Sequence, residues 1–250
     1  MRAPLTVVIP TLNEAAQIAD CVRHVAWADE VIVADGGSTD GTPERARAAG
    51  AHVLPGSWGT IAAQRNAAIA AARHDWILAV DADERVSPEL AREITEAVRA
   101  PSHEAYAARR RNVYLGRTVV HGGWGSDWVV RVFRRERRFV ERRVHEAVER
   151  HGDVGRLRAQ LEHVPYRDLA HHLEKLDRYA RWAAQDLVER GRRARVGDLL
   201  LRPPARFVRM YVFQLGLLDG WHGAVLCGLA SVSVFLKYAH LWELWRRTDA

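Results

Sequence analysis

Trp76-Ile-Leu-Ala-Val-Asp-Ala-Asp-Glu84 carries five apolar residues straight into an acidic cluster. Short, uncharged and bounded by turn-forming residues, the apolar run reads as a buried strand. Asp81 and Asp83 flank Ala82 immediately after it, so both carboxylates can face the rim where the strand ends. Two carboxylates on one rim suit a hard divalent cation, which takes oxygen ligands. An acidic turn that caps the next helix is the alternative. Ser87-Pro88-Glu89 does open a helix over 90–99, with a capping serine, a first-turn proline and an early acid.

Three more apolar runs precede this strand, at 5–9, 31–34 and 51–54. Helical stretches lie between them. Asn13-Glu14 opens one to about His24, Thr42-Pro43-Glu44 places a cap before 45–49, and Thr60 precedes the alanine-rich 61–72. Alternating strands and helices predict an α/β fold: a parallel sheet covered by helices, with ligands at the carboxyl ends of the strands. Strands one, two and four run into Pro10-Thr-Leu-Asn-Glu14, Asp35-Gly-Gly-Ser-Thr-Asp-Gly41 and Asp81-Ala-Asp-Glu84, so three polar clusters are expected on one rim. The glycines after Asp35 allow a tight turn and a close backbone approach to a ligand, although a plain strand-to-helix turn has the same composition. Neither Gly-x-Gly-x-x-Gly nor Gly-x-x-x-x-Gly-Lys-Ser/Thr is present, which disfavours a dinucleotide enzyme and a P-loop nucleotidase.

From Tyr106 to about Glu149 short runs rich in Arg, Gly and aromatics predict antiparallel strands and loops. Leu169, Leu173, Leu176, Ala180, Ala183 and Leu187 then return to helical spacing, Pro203-Pro204 breaks the chain, and an apolar section runs from Phe207 to Trp245. For 250 residues this predicts one catalytic domain, 1–164, and a helical C-terminal extension, 165–250. An apolar share of 48% with 27% charged residues belongs to a folded chain. The net charge of +6 favours acidic partners: nucleotide phosphates, anionic lipid headgroups or nucleic acid. Twelve arginines fall between Arg109 and Arg150, but Glu136, Glu141, Glu146 and Glu149 interrupt them and no nucleic-acid fold signature accompanies them, so nucleic acid is not the expected partner. Cys21 and Cys227 are too few and too distant for a disulfide framework or a zinc site, and the opening apolar run reads as a first strand rather than a secretory signal.

Four motifs in order, Val7-Val-Ile-Pro-Thr-Leu-Asn-Glu14, Ile32-Val-Ala-Asp-Gly-Gly-Ser-Thr-Asp-Gly-Thr42, Gln64-Arg-Asn66 and Asp81-Ala-Asp-Glu84, resemble the inverting family 2 glycosyltransferases. The resemblance implies a three-layer GT-A fold, a divalent metal (Mg2+ or Mn2+) and a UDP-sugar donor. It implies that Thr11, Glu14 and Asp35 hold the nucleoside, with Asp35 accepting from the base, and that Pro10, Arg65 and Ala82 complete the donor site. Asp81 and Asp83 would hold the cation that neutralises the departing diphosphate. Many relatives place a second Asp where this chain has Gly36, so only Asp35 is carried over.

Arg110-Arg-Asn112, Gly116-Arg117, His121-Gly-Gly-Trp124, Asp127, Arg131-Val-Phe-Arg-Arg135, Val144-His-Glu146 and Leu218-Asp-Gly220 are similar to a narrower branch, the lipopolysaccharide core β-1,4-glucosyltransferases. That implies transfer of one hexose, glucose from UDP-glucose, to a lipopolysaccharide-core or lipid-linked acceptor. Arg178-Tyr-Ala-Arg-Trp182 has Arg where the Gln-x-x-Arg-Trp of processive synthases needs Gln, in keeping with a single addition. Inversion requires a carboxylate that takes the proton of the attacking hydroxyl. Asp127, following a Gly-Trp, is the expected base and Glu146 the second choice; Trp124 offers a flat face to a sugar ring. His145 is either a third metal ligand or a histidine bonded to its neighbours. Arg131 and Arg134 are expected to contact the diphosphate or an acidic acceptor.

Two other readings share part of this pattern. A sugar nucleotidyltransferase would need a Gly-rich loop bearing Lys or Arg after strand one, where Pro10-Thr-Leu-Asn-Glu14 stands; a membrane scaffold would leave the Asp-Ala-Asp without a role. Ala224–Leu236 is free of charge, but its thirteen residues fall short of the roughly 20 that a spanning helix needs. Flanking aromatics and arginines predict an interfacial segment on the cytoplasmic face of the inner membrane; a hairpin packed on the catalytic domain or in a homodimer is the alternative.

Overall fold

A computed structural model gives the fold and describes residues 3–140, 148 and 152–248. The chain divides into two compact units, one of Met1–Arg110 with Trp128–His163, the other of Arg111–Asp127 with Val164–Ala250. In the first unit, β1 (Leu5–Thr11), β2 (Glu30–Asp35), β3 (His52–Pro55) and β4 (Trp76–Ala79) pair in parallel. Antiparallel strands follow: β5 (Glu84–Arg85), β6 (Ala105–Tyr114), β7 (Arg117–Thr118), β8 (Trp128–Arg134) and β9 (Val154–His163). The sheet order is β3-β2-β1-β4-β8-β6-β9-β5, with β7 paired to β6.

Side chains alternate across a strand, so each strand feeds two cores. Val7, Ile9, Val33 and Leu78 meet Ile18 and Val22 of α1 (Ile18–His24), Ala46 of α2 (Thr42–Ala48) and neighbouring side chains. Val8, Ile32, Ala34 and Ile77 on the opposite face meet Ala62, Ala68 and Ile69 of α3 (Ile61–Ala71). The first face also receives Leu90, Ile94 and Val98 of α4 (Pro88–Arg99). The expected three-layer α/β arrangement is therefore present.

Helix starts follow the local signals at two of four places. Thr60 Oγ1 accepts from Ala63 N at 3.1 Å and Ser87 Oγ from Leu90 N at 3.2 Å, as capping residues do. Thr42 does not cap: its hydroxyl donates to Asp40 at 2.5 Å, and Gly41, with φ of 84°, stands at the cap of α2. The first helix begins at Ile18, later than expected, because Asn13 is left-handed (φ 57°) and residues 13–15 are tied outward to the loop after β2.

The second unit contains α5 (Leu169–Glu189), α6 (Val196–Leu200), α7 (Arg202–Val208), a π-helical turn at Arg209–Phe213, a 3-10 turn at Gly216–Asp219 and α8 (Gly220–Thr248). Pro203 and Pro204 begin α7 rather than merely interrupting the chain, since the first turn needs no proline N–H. Ala184 of α5 packs with Tyr238 and Leu241 of α8, and His240 Nε2 lies 2.8 Å from Asp177 Oδ1. Counting only charge-free residues underestimated the last element. Gly216–Arg247 is long and apolar enough, by length and composition, to cross a membrane.

His172 is buried in the same unit, stacked on Tyr166 at 3.7 Å, with Nδ1 3.0 Å from the Tyr114 hydroxyl. Burial first, then the charges of His171 and Lys175, push its imidazole down to about 4. The unfolded chain thus binds the extra proton more readily, and the stability this neutral ring contributes is present above about pH 6.5 and lost as pH falls towards 4. Chemical unfolding followed across that window should show a loss of roughly 3 kcal/mol, absent in His172→Gln. Equal slopes for the two proteins would exclude His172 as the source.

Candidate active site

Thr11 ends β1 opposite Asp35, which ends β2, and Val80 N donates to Val8 O at 3.0 Å just before Asp81. The three polar clusters therefore share the carboxyl rim of the sheet, as expected. Gln64 of α3 fastens it from below: its amide nitrogen donates to Thr11 O at 2.8 Å and Ala34 O at 2.6 Å.

Asp35 is buried and organises its own turn. Gly37 N and Ser38 N donate to Oδ2 at 3.1 and 2.9 Å, and the Ser38 and Thr11 hydroxyls approach Oδ1 at 2.5 and 3.3 Å. Asn13 ties the two loops together, donating from its backbone N to Ser38 Oγ at 2.8 Å and accepting from Thr39 N at 2.9 Å. Asp40 adds a second tie, accepting from Ala15 N at 3.0 Å. Glu14 sits half-buried beside them, with Gln17 Nε2 donating to Oε2 at 3.2 Å, and Pro10 is half-buried at the end of β1.

Three guanidiniums surround Asp81. Arg65 donates to Oδ1, while Arg110 and Arg131 donate to Oδ2 at 3.1 and 2.6 Å. Glu84, fully buried, completes the cluster: Oε1 accepts from Arg110 Nε at 2.7 Å and Arg131 at 2.6 Å, and Oε2 from Asp81 N at 2.9 Å. Burial alone would raise the Asp81 carboxyl, but Arg131, Arg65 and Arg110 together hold it well below the usual carboxylate range. These three cations share the carboxylates of Asp81 and Glu84. Arg65 also lies 4.6 Å over the Phe139 ring. Arg85 clamps the turn by donating to Ala82 O and Glu84 O, both at 2.8 Å, and to Asp20 at 2.5 Å.

Asp83 meets β9. Its Oδ1 lies 3.7 Å from His163 Nε2, because β5 and β9 pair Glu84 with His163. Burial drives the His163 ring below its ordinary value despite the opposing pull of Asp83, a shift that favours the neutral imidazole, the form that ligates metals. A carboxylate oxygen and an imidazole nitrogen suit a divalent cation. Asp81 suits one less well, since both its oxygens already accept from guanidiniums. Among the described residues no group of three or more His, Cys, Asp and Glu forms a metal cluster. His145 and Glu146, expected as metal ligand and alternative base, lie outside the described residues.

One expectation is corrected. Arg134 pairs in register with Trp76, at the opposite end of β4 from Asp81, and its guanidinium lies 4.2 Å over the Trp76 ring. The reason is direction: β8 runs antiparallel to β4, so Arg131 comes nearer the rim and Arg134 moves away from it. Arg110, Glu84 and His163 were given no role by sequence. Arg110 lay inside a quoted motif without a partner, and nothing local marked His163.

Asp127 and Trp124 belong to the second unit, on the loop from Arg111 to Asp127. Trp124 is half-buried with its ring 6.5 Å from Tyr166, and its carbonyl accepts from Asn112 Nδ2 at 2.7 Å. Buried Asp219 holds this loop, accepting from His121 N at 2.9 Å and lying 3.0 Å from the His121 ring, while Gly122 N donates to Gln214 O at 2.8 Å. Gly122 and Gly123 both have positive φ, and a Cβ on Gly123 would come within 2.9 Å of Gln214.

Residues 6–159 match the family model described as Glycosyl transferase family 2. The chain is 28% identical over 255 residues to the lipopolysaccharide core biosynthesis glycosyltransferase LpsC of Rhizobium meliloti, covering 95% of this chain and 94% of that protein. It is also 27% identical over 250 residues to an uncharacterized glycosyltransferase of Rickettsia typhi, covering 94% and 86%. Among solved structures, a glucosyl-3-phosphoglycerate synthase from Mycobacterium tuberculosis aligns at 25% identity with a TM-score of 0.38, over 46% of this chain and 45% of that one. The chain thus spans less than half of that solved protein.

Proposed function

Because this chain belongs to glycosyl transferase family 2, we propose that it is a metal-assisted inverting enzyme that moves one hexose, glucose from UDP-glucose, onto a lipopolysaccharide-core or lipid-linked acceptor. The observation that carries this reading is the shared rim: Thr11 and Asp35 on adjacent strand ends, and beside them the guanidinium-wrapped Asp81 followed by Asp83 and His163. The first pair suits a nucleoside. The guanidiniums gathered at Arg65, Arg110 and Arg131 suit a diphosphate, and Arg131 Nε is buried with no hydrogen-bond partner among the described residues, a donor that a phosphate oxygen would satisfy.

Asp83 and His163 would hold the cation, which when bound supplies charge neutralisation for the diphosphate leaving group. Asp81 is assigned to holding the three guanidiniums, and Asp127 to taking the proton of the acceptor hydroxyl. The relation to LpsC supports a lipopolysaccharide-core acceptor. An acceptor of that class is met at a membrane, and the cytoplasmic face of the inner membrane is where a nucleotide sugar would be available; a homodimer through the C-terminal helices is the competing use of that surface.

The test is thermal stabilisation by UDP with Mn2+. A shift is expected with both together and little with either alone, followed by slow hydrolysis of UDP-glucose from a nucleotide-sugar panel. Asp127→Asn should keep that shift while transfer to acceptor falls about a hundredfold or more. A shift with nucleoside triphosphate instead of UDP would transfer the assignment to a nucleotidyltransferase; no shift with any nucleotide would favour a scaffold.

A further inference from the structure

Away from the rim, positive charge gathers again where α7 faces α8. Arg202, Arg206 and Arg209 are spaced by four and three residues, so they share one helical face. With Lys237 and Tyr238 of α8 they line a pocket of about 290 Å³ that includes no acidic side chain. Arg202 is engaged by Asp198, but the guanidiniums of Arg206 and Arg209 have no hydrogen-bond or ion-pair partner among the described residues. Burial, and then Arg202, Arg192 and Arg206, push the Lys237 ammonium down against the opposing pull of Asp198, as expected where like charges crowd.

The same hairpin has an apolar tip. Phe213 is 78% exposed and Trp221 84%, with Leu217 and Leu218 also exposed between them. At about 1.5 Å per residue, Arg209, Arg206 and Arg202 stand roughly 6, 10 and 16 Å behind Phe213 along the helix. An interfacial segment sinks its apolar groups about 5–10 Å, which brings Arg209 and Arg206 to the level of lipid phosphates. Although α8 has the length of a span, its C-terminal half is joined to α5 through Tyr238, Leu241 and His240, and α5 carries Asp177, Arg178 and Arg181. A spanning α8 would drag those charges into hydrocarbon, so the hairpin lies on the surface.

We propose that the pocket of Arg206, Arg209 and Lys237 binds the phosphate of an anionic membrane phospholipid while the Phe213 to Trp221 tip enters the acyl boundary. This rests on the membrane-surface reading above and is independent of the sugar chemistry. The positive charge, a lining without acidic side chains and the adjoining apolar tip together select an amphiphile over a soluble anion.

The experiment is co-sedimentation of the full chain with vesicles of phosphatidylcholine alone or mixed with phosphatidylglycerol. The full chain should prefer the phosphatidylglycerol vesicles by about tenfold or more, a preference weakened by salt. Arg206→Gln with Arg209→Gln should remove that preference while leaving hydrolysis of UDP-glucose unchanged. Phe213→Ser with Trp221→Ser should weaken binding to both vesicle types. The proposal is overturned if the arginine variant sediments like the parent protein. It is also overturned if the parent protein ignores vesicles and self-associates, or if it binds inorganic phosphate tightly with no phosphatidylglycerol preference. A parent protein that hydrolyses UDP-glucose but binds neither vesicle type would defeat this proposal and the membrane-surface reading and spare the transferase; the reverse pattern would do the opposite.

Discussion

Asp83→Asn is expected to lower transfer by about a thousandfold or more and to abolish the Mn2+-dependent part of the UDP stabilisation, with little change in melting temperature. The amide keeps the side-chain volume, so the fold is spared, while a ligand to the cation loses the charge that makes it one. His163→Gln should behave similarly, because Asp83 and His163 act as a pair 3.7 Å apart. Asp81→Asn should differ in kind: it weakens three guanidinium contacts at once and so costs stability as well as activity. Measuring transfer, the UDP shift and melting on all three variants separates ligand from organiser. Full transfer with an unchanged metal-dependent shift in Asp83→Asn would remove it from the cation.

Glu84→Gln is expected to destabilise the first unit by about 3 kcal/mol, the scale for breaking a buried ion pair from one side. Glu84 is fully buried and its charge is opposed by Arg110 and Arg131. Without it, the cluster loses one of the two carboxylates that Arg110 and Arg131 share. If charge imbalance is the cause, Glu84→Gln combined with Arg110→Gln should be more stable than Glu84→Gln by itself, since removing one cation along with one carboxylate restores the original balance of charge. Urea unfolding of the single and double variants decides the matter. A single variant within about 0.5 kcal/mol of the parent protein would show that the cluster tolerates the extra charge.

Local chemistry was legible in the sequence and distant pairing was not. The strands ending in Thr11, Asp35 and Asp81 could be read because apolar runs bounded by polar turns have few other uses, and the Thr60 and Ser87 caps because a cap involves its own helix only. Thr42 was misread because Asp40, two residues earlier, took its hydroxyl. Arg131 and Arg134 looked equivalent in one motif; only the antiparallel pairing of β8 with β4 separates them, and a strand's direction is not written in its own residues. His163 had no signal at all, since its proximity to Asp83 is made by the pairing of β5 with β9.

The tie between His121 and Asp219 bears on how such a chain can be recombined. The chain leaves its first unit at Arg110, returns at Trp128 and leaves again after His163, so a single crossover cannot exchange the second unit whole. A hybrid taking only residues 164–250 from a relative would face a foreign segment from Arg111 to Asp127, where Gly122 N donates to Gln214 O and a Cβ on Gly122 would stand 3.5 Å from Cys227 Sγ. Mutually fitted surfaces of that kind change together or fail. Transplanting the second unit therefore takes two exchanged segments, and a library that shuffles both at once should yield folded hybrids where single-junction libraries do not.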